Sequence, residues 1–322
     1  MYFNDSNSFF HGIMFHNFHD NKNNGKVQGS ISADCLYKLI NFIGRQNIIN
    51  SDIFFEKFLS KKLKKNEVCL TFDDGIKCQL DIALPVLEDL KIKSFFFPYT
   101  SMFEGKPDNI EIYRYFRANY FDTINDFYNN FYNNLNKDLN NFFEKIEKNI
   151  INSKSKYPFY SVEDIKFRFV RDIYLKKNEY EKIMTLMLNE KKIIPEELYK
   201  KLFFSKKDLI SIDKLGHTIG LHSHTHPTLL ENLNYEDQKK EYEYSRNIIS
   251  KILHKSPNEI TSMSHPNGSY NKDTIEVLKS FEIKLGFKHI MSIEENRGMR
   301  NVNNSYLEIA RQDHAYILNK IN

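Results

Sequence analysis

Short, mainly apolar runs alternate along this chain with longer segments in which apolar residues return every three or four positions. The first kind reads as buried strand and the second as amphipathic helix. Strands are predicted over 12–15, 68–72, 94–97, 218–221, 260–263 and 285–291. Helices are predicted over 33–43, where Leu36, Leu39, Ile40 and Ile43 share a face behind a Ser32 cap, over 234–253, and over 272–281. Leu80, Ala83, Leu84 and Leu87 mark another helical face, which Pro85 must kink or restart. Asn234 and Asp237 open the 234–253 helix with a near capping box. Strand followed by helix, repeated, implies parallel strands and an α/β fold.

Two stretches break this alternation with concentrated chemistry. Leu70-Thr71-Phe72-Asp73-Asp74-Gly75 is an apolar run that ends in adjacent carboxylates, with Gly75 permitting a sharp turn. Adjacent aspartates repel, so a strand end that holds both calls for a shared cation or proton; the plainer account is a helix cap. The second stretch, His222-Ser223-His224-Thr225-His226-Pro227, holds three of the eleven histidines. Imidazole is a common ligand for borderline metals. In an extended chain His222 and His224, or His224 and His226, share a face; in a helical turn His222 and His226 do. Pro227 disfavours helix at His226, and spacing alone does not choose.

These stretches resemble the motifs of the polysaccharide deacetylase family, also called the NodB-homology or carbohydrate esterase 4 type. Thr71-Phe72-Asp73-Asp74-Gly75 matches its first motif, His222 to Pro227 its second, and Pro266-Asn267-Gly268 the end of its third. Gly12-Ile13-Met14-Phe15-His16 is similar to the opening of many members, and the likeness spans 12–103 and about 210–315. The resemblance implies a distorted seven-stranded (β/α) barrel. It implies Asp74, His222 and His226 as ligands of a divalent metal, zinc being expected, Asp73 as general base, and His224 as a bystander. Two departures follow. Ser264 stands where many members carry an arginine two residues before the proline, and no Leu-x-His supplies the usual acid. Arg311 is the candidate partner of the base and His314 the candidate acid, with His265 a weaker one and His16 lining the site.

Composition narrows the field. Lys plus Arg number 46 against 42 Asp plus Glu, a net charge of +4 that does not point to nucleic acid. Three cysteines, Cys35, Cys69 and Cys78, fit a reducing compartment better than a disulfide framework. There is no basic leader followed by a long apolar segment and no run long enough to span a bilayer. The expected location is the cytoplasm or the inner membrane face. Residues 104–210 separate the first two motifs and are rich in Asn, Lys, Tyr and Phe, with Tyr113, Phe116, Tyr120, Phe127 and Phe131 at helical gaps. They read as a mainly helical insertion within a single domain spanning 1–322, either a plain cap or a roof that selects the sugar. The function expected is metal-dependent removal of N-acetyl groups from an amino sugar in surface glycan assembly. The alternatives are hydrolysis of another non-peptide C–N bond, such as a cyclic imide or ureide, and a non-catalytic carbohydrate-binding relative.

Overall fold

The computed structural model describes residues 9–20, 22–156, 160–291 and 306–321. Seven parallel strands form its centre: β1 (His11–Phe15), β2 (Val68–Asp73), β3 (Phe95–Phe97), β4 (Thr218–Ile219), β5 (Ser262–Ser264), β6 (Leu285–Phe287) and β7 (Arg311–Asp313). Five are continuous in the order β4-β3-β2-β1-β7, and β5 pairs with β6. Single parallel bridges, Leu221 with Met263 and Phe287 with Ile309, join the two sets. The ring therefore closes in sequence order as a seven-stranded barrel, distorted because two of its seams are one bridge wide. At one seam only glycine fits. A Cβ on Gly220 would lie 2.6 Å from the Ser262 carbonyl oxygen and 2.5 Å from the Phe97 ring.

Alternation sorts the strand side chains into two layers. Cys69, Phe95, Phe97, Leu285, Phe287 and Ile309 form one cluster, closed by Phe54 and Phe58. On the opposite face of the same strands, Phe72 stacks between Phe15 and Phe96 at 5.2 and 4.8 Å. Both layers are buried, which is why β3 reads as an unbroken apolar run and β2 as one interrupted only by Thr71 before Asp73.

Helices α1 (Ala33–Ile43), α2 (Ser51–Leu59), α3 (Leu84–Asp89), α11 (Lys206–Lys214), α12 (Tyr235–Leu253), α13 (Lys272–Ser280) and α14 (His314–Ile321), numbered in chain order, belong to this barrel unit. Pro85 falls in the first turn of α3, and the turn before it widens to a π-helix over Gln79–Ala83. A missing amide is tolerated there because the first turn lacks an intrahelical acceptor.

The chain divides into two compact units, Met1–Asn109 with Tyr199–Asn322, and Ile110–Leu198. Between the barrel strands β3 and β4 run α4 (Asn109–Asn119), α5 (Ile124–Leu135), α6 (Asn140–Lys145), α7 (Glu147–Lys156), α8 (Val162–Phe169), α9 (Lys177–Glu190) and α10 (Pro195–Leu202). The second unit has its own aromatic core, in which Phe127, Phe131 and Phe167 pack within 5.0–6.1 Å of one another. Asp164 is buried beside that core and offset by Arg117, Arg168 and the Tyr128 hydroxyl. Among the described residues, no helix is long and apolar enough to cross a membrane.

Candidate active site

The strands deliver polar groups at their C-terminal ends, where parallel barrels build their sites. Asp73, the last residue of β2, continues the inward face of Cys69 and Thr71. Asp74 follows with φ of 72°, a left-handed conformation that Asp tolerates better than most residues, so its carboxylate swings away from that of Asp73. Gly75 repeats the left-handed turn at φ of 67°, and a Cβ there would meet the Met102 side chain at 2.4 Å and Pro98 at 2.9 Å. The two neighbouring carboxylates thus serve separate surroundings.

The His222–Pro227 segment is neither extended nor helical. Ser223 and His226 are both left-handed, with φ of 63° and 56°. The loop is pinned from α12, where the Glu241 carboxylate accepts the His224 and Thr225 amides at 2.8 Å each and the Thr225 hydroxyl at 2.6 Å. The His222 and His226 rings lie 5.1 Å apart. His224 points elsewhere, its Nδ1 3.0 Å from Thr100 Oγ1 and its Nε2 3.6 Å from Glu104.

Asp74, His222 and His226 each offer a ligand atom, and these atoms all lie within 4.8 Å of one another. His222 Nε2 and His226 Nε2 are each 3.3 Å from Asp74 Oδ1, which is buried without a hydrogen-bond partner. His222 Nδ1 faces the Ser264 carbonyl at 2.9 Å, and His226 Nδ1 faces Asp108 Oδ2 at 3.3 Å. Both partners are acceptors, so both Nδ1 atoms carry the proton. In neutral rings the Nε2 lone pairs then converge on a carboxylate oxygen, an arrangement that calls for a cation. A tetrahedral ion with bonds of about 2.0–2.1 Å has ligand-to-ligand edges of about 3.3–3.4 Å, which matches both separations. The residues present therefore fit a divalent metal with a carboxylate and two imidazoles. Burial works against an ionised Asp74; in the metal-free protein the His226, His222 and His16 imidazoles, when protonated, outweigh it and hold the carboxyl well below its usual range.

Arg311 lies beside Asp73. It is fully buried, with Nη1 2.7 Å from Asp73 Oδ1 and Nη2 2.7 Å from Oδ2. Its Nε donates to the Lys288 carbonyl at 2.6 Å and Nη1 to Thr71 Oγ1 at 3.2 Å, so the fork is fixed in the barrel. Burial would raise the Asp73 carboxyl, but Arg311, with His222 and His16, holds it below its ordinary value. Ser264 Oγ donates to Asp73 Oδ2 at 3.1 Å, while its carbonyl accepts from His222, tying that carboxylate and the imidazole to the end of β5. Gln79 Nε2 donates to the carbonyls of His16 and Asp73 at 2.9 and 2.7 Å, joining the ends of β1 and β2. His16 Nε2 sits 4.0 Å from both Asp73 Oδ2 and Asp74 Oδ2, with a quarter of its side chain exposed. The supporting roles of Gln79 and Glu241 carried no signal in the sequence, because each acts on a residue from another strand or loop, and Ser264 was marked only as a departure from the family's arginine.

The remaining histidine candidates are not brought to these carboxylates. His314 stacks on Phe15, and its Nδ1 and Nε2 lie 3.1 Å from the Met14 carbonyl and 3.0 Å from that of Gly29. His265 is buried against Tyr270 at 4.1 Å, its Nε2 donating to the Leu307 carbonyl and its Nδ1 without a partner. Burial pushes His265 down to about 3, and His11 at the start of β1 down to about 4. An unfolded chain takes up these protons near pH 6.5, before the folded one does. Stability should therefore fall below pH 6.5 and level off past the folded-state values, with a slope of about 1.4 kcal/mol per pH unit for each histidine. Urea melts of metal-free protein between pH 7 and 5 measure this. Burial also pushes His217 and His289 down to about 4, so His265→Gln should remove roughly a quarter of the slope, and equal stability at both ends of the range would refute the assignment.

A family model described as polysaccharide deacetylase matches residues 60–115 and 170–286, more than half of the chain. No curated protein sequence matches it. Among solved structures, a Streptococcus pyogenes deacetylase, PplD, in complex with acetate superposes with a TM-score of 0.54 at 13% identity, over 97% of this chain and 98% of the other. A de-N-acetylase from Aggregatibacter actinomycetemcomitans gives 0.53 at 13% identity, over 97% and 99%. IcaB from Ammonifex degensii gives 0.56 at 11% identity, over 98% and 97%. Identities this low establish a common fold, and the family itself rests on the sequence match across both halves of the barrel. On that match the chain belongs to the polysaccharide deacetylase family.

Proposed function

We propose that the protein is a zinc-dependent N-deacetylase acting on an N-acetylated amino sugar of a surface glycan or its precursor. The observation that carries this reading is the convergence of two Nε2 lone pairs on the unpartnered Oδ1 of Asp74, beside a second carboxylate, Asp73, that Arg311 keeps ionised. A bound zinc ion would polarise the acetyl carbonyl and lower the pKa of a water from about 15.7 toward about 7. Asp73 orients the attacking water and takes its proton on Oδ2, the oxygen nearer His16. Ser264 and Arg311 hold that carboxylate so that little reorganisation accompanies the transfer. We assign the protonation of the leaving nitrogen to His16, an imidazole that is partly exposed and 4.0 Å from both carboxylates. The three free thiols accord with action in the cytoplasm or at the inner membrane face.

The test incubates zinc-loaded protein with N-acetylated nucleotide sugars and N-acetylglucosamine oligomers, and measures free acetate and new amine. Release of both in equal amounts is expected, with Asp74→Ala and His226→Ala losing zinc and activity together. Hydrolysis of a cyclic imide or ureide, without acetate release from any sugar, would reassign the reaction to another C–N bond. Glycan binding without hydrolysis would make the protein a carbohydrate-binding relative.

A further inference from the structure

The two imidazoles facing Asp74 are backed differently. His222 leaves the end of a barrel strand and its Nδ1 meets a neutral peptide carbonyl, that of Ser264. His226 sits in a loop, at a left-handed residue, and its Nδ1 meets a side-chain carboxylate, that of Asp108. Tyr99, which follows β3 and is 1% exposed, serves both partners of that contact. Its ring stacks on His226 at 5.2 Å and 27°, and its hydroxyl accepts the Asp108 amide at 3.0 Å. Tyr99 thus covers the face of the imidazole while fixing the backbone of the residue that holds its edge.

We infer that Asp108, anchored by Tyr99, is a positioning residue that sets the orientation and donor strength of His226 toward the metal. The inference rests on the reading of Asp74, His222 and His226 as metal ligands. A loop histidine with positive φ has no strand to fix its ring, so an outside hold decides where Nε2 points. A carboxylate cannot donate, which leaves the proton on Nδ1 and the lone pair on Nε2. Negative charge behind an imidazole also makes it a stronger donor to a cation, and such outer partners are worth about 10- to 100-fold in metal affinity. The plainer role for Asp108 is to cap α4, which begins at the next residue.

Asparagine separates the two roles, since it caps a helix as well as aspartate and keeps an acceptor for Nδ1 but carries no charge. The experiment measures zinc affinity by chelator competition, the visible spectrum of the cobalt-substituted protein, and the melting of the metal-free form. It covers the full-length wild type, Asp108→Asn, Asp108→Ala and Tyr99→Phe. Asp108→Ala should bind zinc about 10- to 100-fold more weakly. Asp108→Asn should fall between it and the wild type, with a shifted cobalt spectrum and unchanged metal-free melting. Tyr99→Phe should weaken zinc binding in the same direction while keeping the stacked ring. Wild-type zinc affinity and an unshifted cobalt spectrum in Asp108→Asn and Asp108→Ala would overturn the inference alone. A folded wild type that binds no zinc would overturn it together with the metal reading.

Discussion

Asp73→Asn should lower kcat/KM for acetate release by about 10²–10⁴-fold, the contribution typical of a positioned general base, while zinc affinity stays unchanged. The amide keeps the shape of the carboxylate but cannot take a proton from water. Zinc should be retained because Asp73 is not one of the three groups that converge on a common point. The substitution also leaves Arg311 buried without its counter-charge. Removing one partner of a buried pair costs about 3–5 kcal/mol, and the amide oxygen, still an acceptor, keeps the loss toward the lower figure. Steady-state kinetics at 25 °C, with metal analysis of the same sample and a melt, separate the three effects. Activity within roughly tenfold of the wild type, below the usual range for a base, would remove Asp73 from the chemistry. Lost zinc would make it a ligand instead.

The contrast between β2 and β7 shows how far such a site can be read from the chain. Val68 to Phe72 announce a strand because both faces are buried under apolar neighbours, and that run leads directly to Asp73 and Asp74. Arg311-Gln312-Asp313 has no apolar residue, yet it is a strand, paired in register with Gly12, Ile13 and Met14. Its burial becomes possible only because Arg311 meets Asp73 across the barrel, a partner 238 positions away. No local pattern encodes that pairing; the sequence offered Arg311 as the partner of the base and His314, three residues on, as the more speculative acid. The histidine segment is a similar case. Whether His222 pairs with His224 or with His226 is decided by left-handed turns at Ser223 and His226, which Glu241 stabilises from a later helix. Asp108 and Ser264 were opaque for the same reason, since each does its work on a residue that the fold alone supplies. His16 was legible only as the residue at the end of a strand. Its distance to both carboxylates depends on the parallel pairing of β1 with β2, which Gln79 secures beyond the last strand residues.

Arg311→Met should impair the enzyme in a way that pH partly reverses. Methionine fills much of the arginine stem's volume, so the loss is chiefly that of charge and of the hydrogen bonds from Nε and Nη1. Asp73 is then a buried carboxylate without its main counter-charge. Burial, which Arg311 outweighs in the native protein, is left to raise the carboxyl. A base with a raised pKa is protonated over more of the pH range, so the acid limb of the kcat/KM profile should move to higher pH. Activity should recover as pH rises through the new value. The stability cost should be about 3–5 kcal/mol near neutral pH, the usual penalty for stranding one member of a buried pair. It should lessen at lower pH, where Asp73 is neutral in the folded and unfolded variant alike, while the buried histidines titrate equally in variant and wild type and cancel in the comparison. Arg311→Lys should be intermediate. A single ammonium restores charge but cannot meet both Asp73 oxygens and the Lys288 carbonyl at once. Zinc content should be unchanged in both variants. A profile that drops uniformly without moving along the pH axis would mean that Arg311 supports the barrel and leaves the protonation of Asp73 alone.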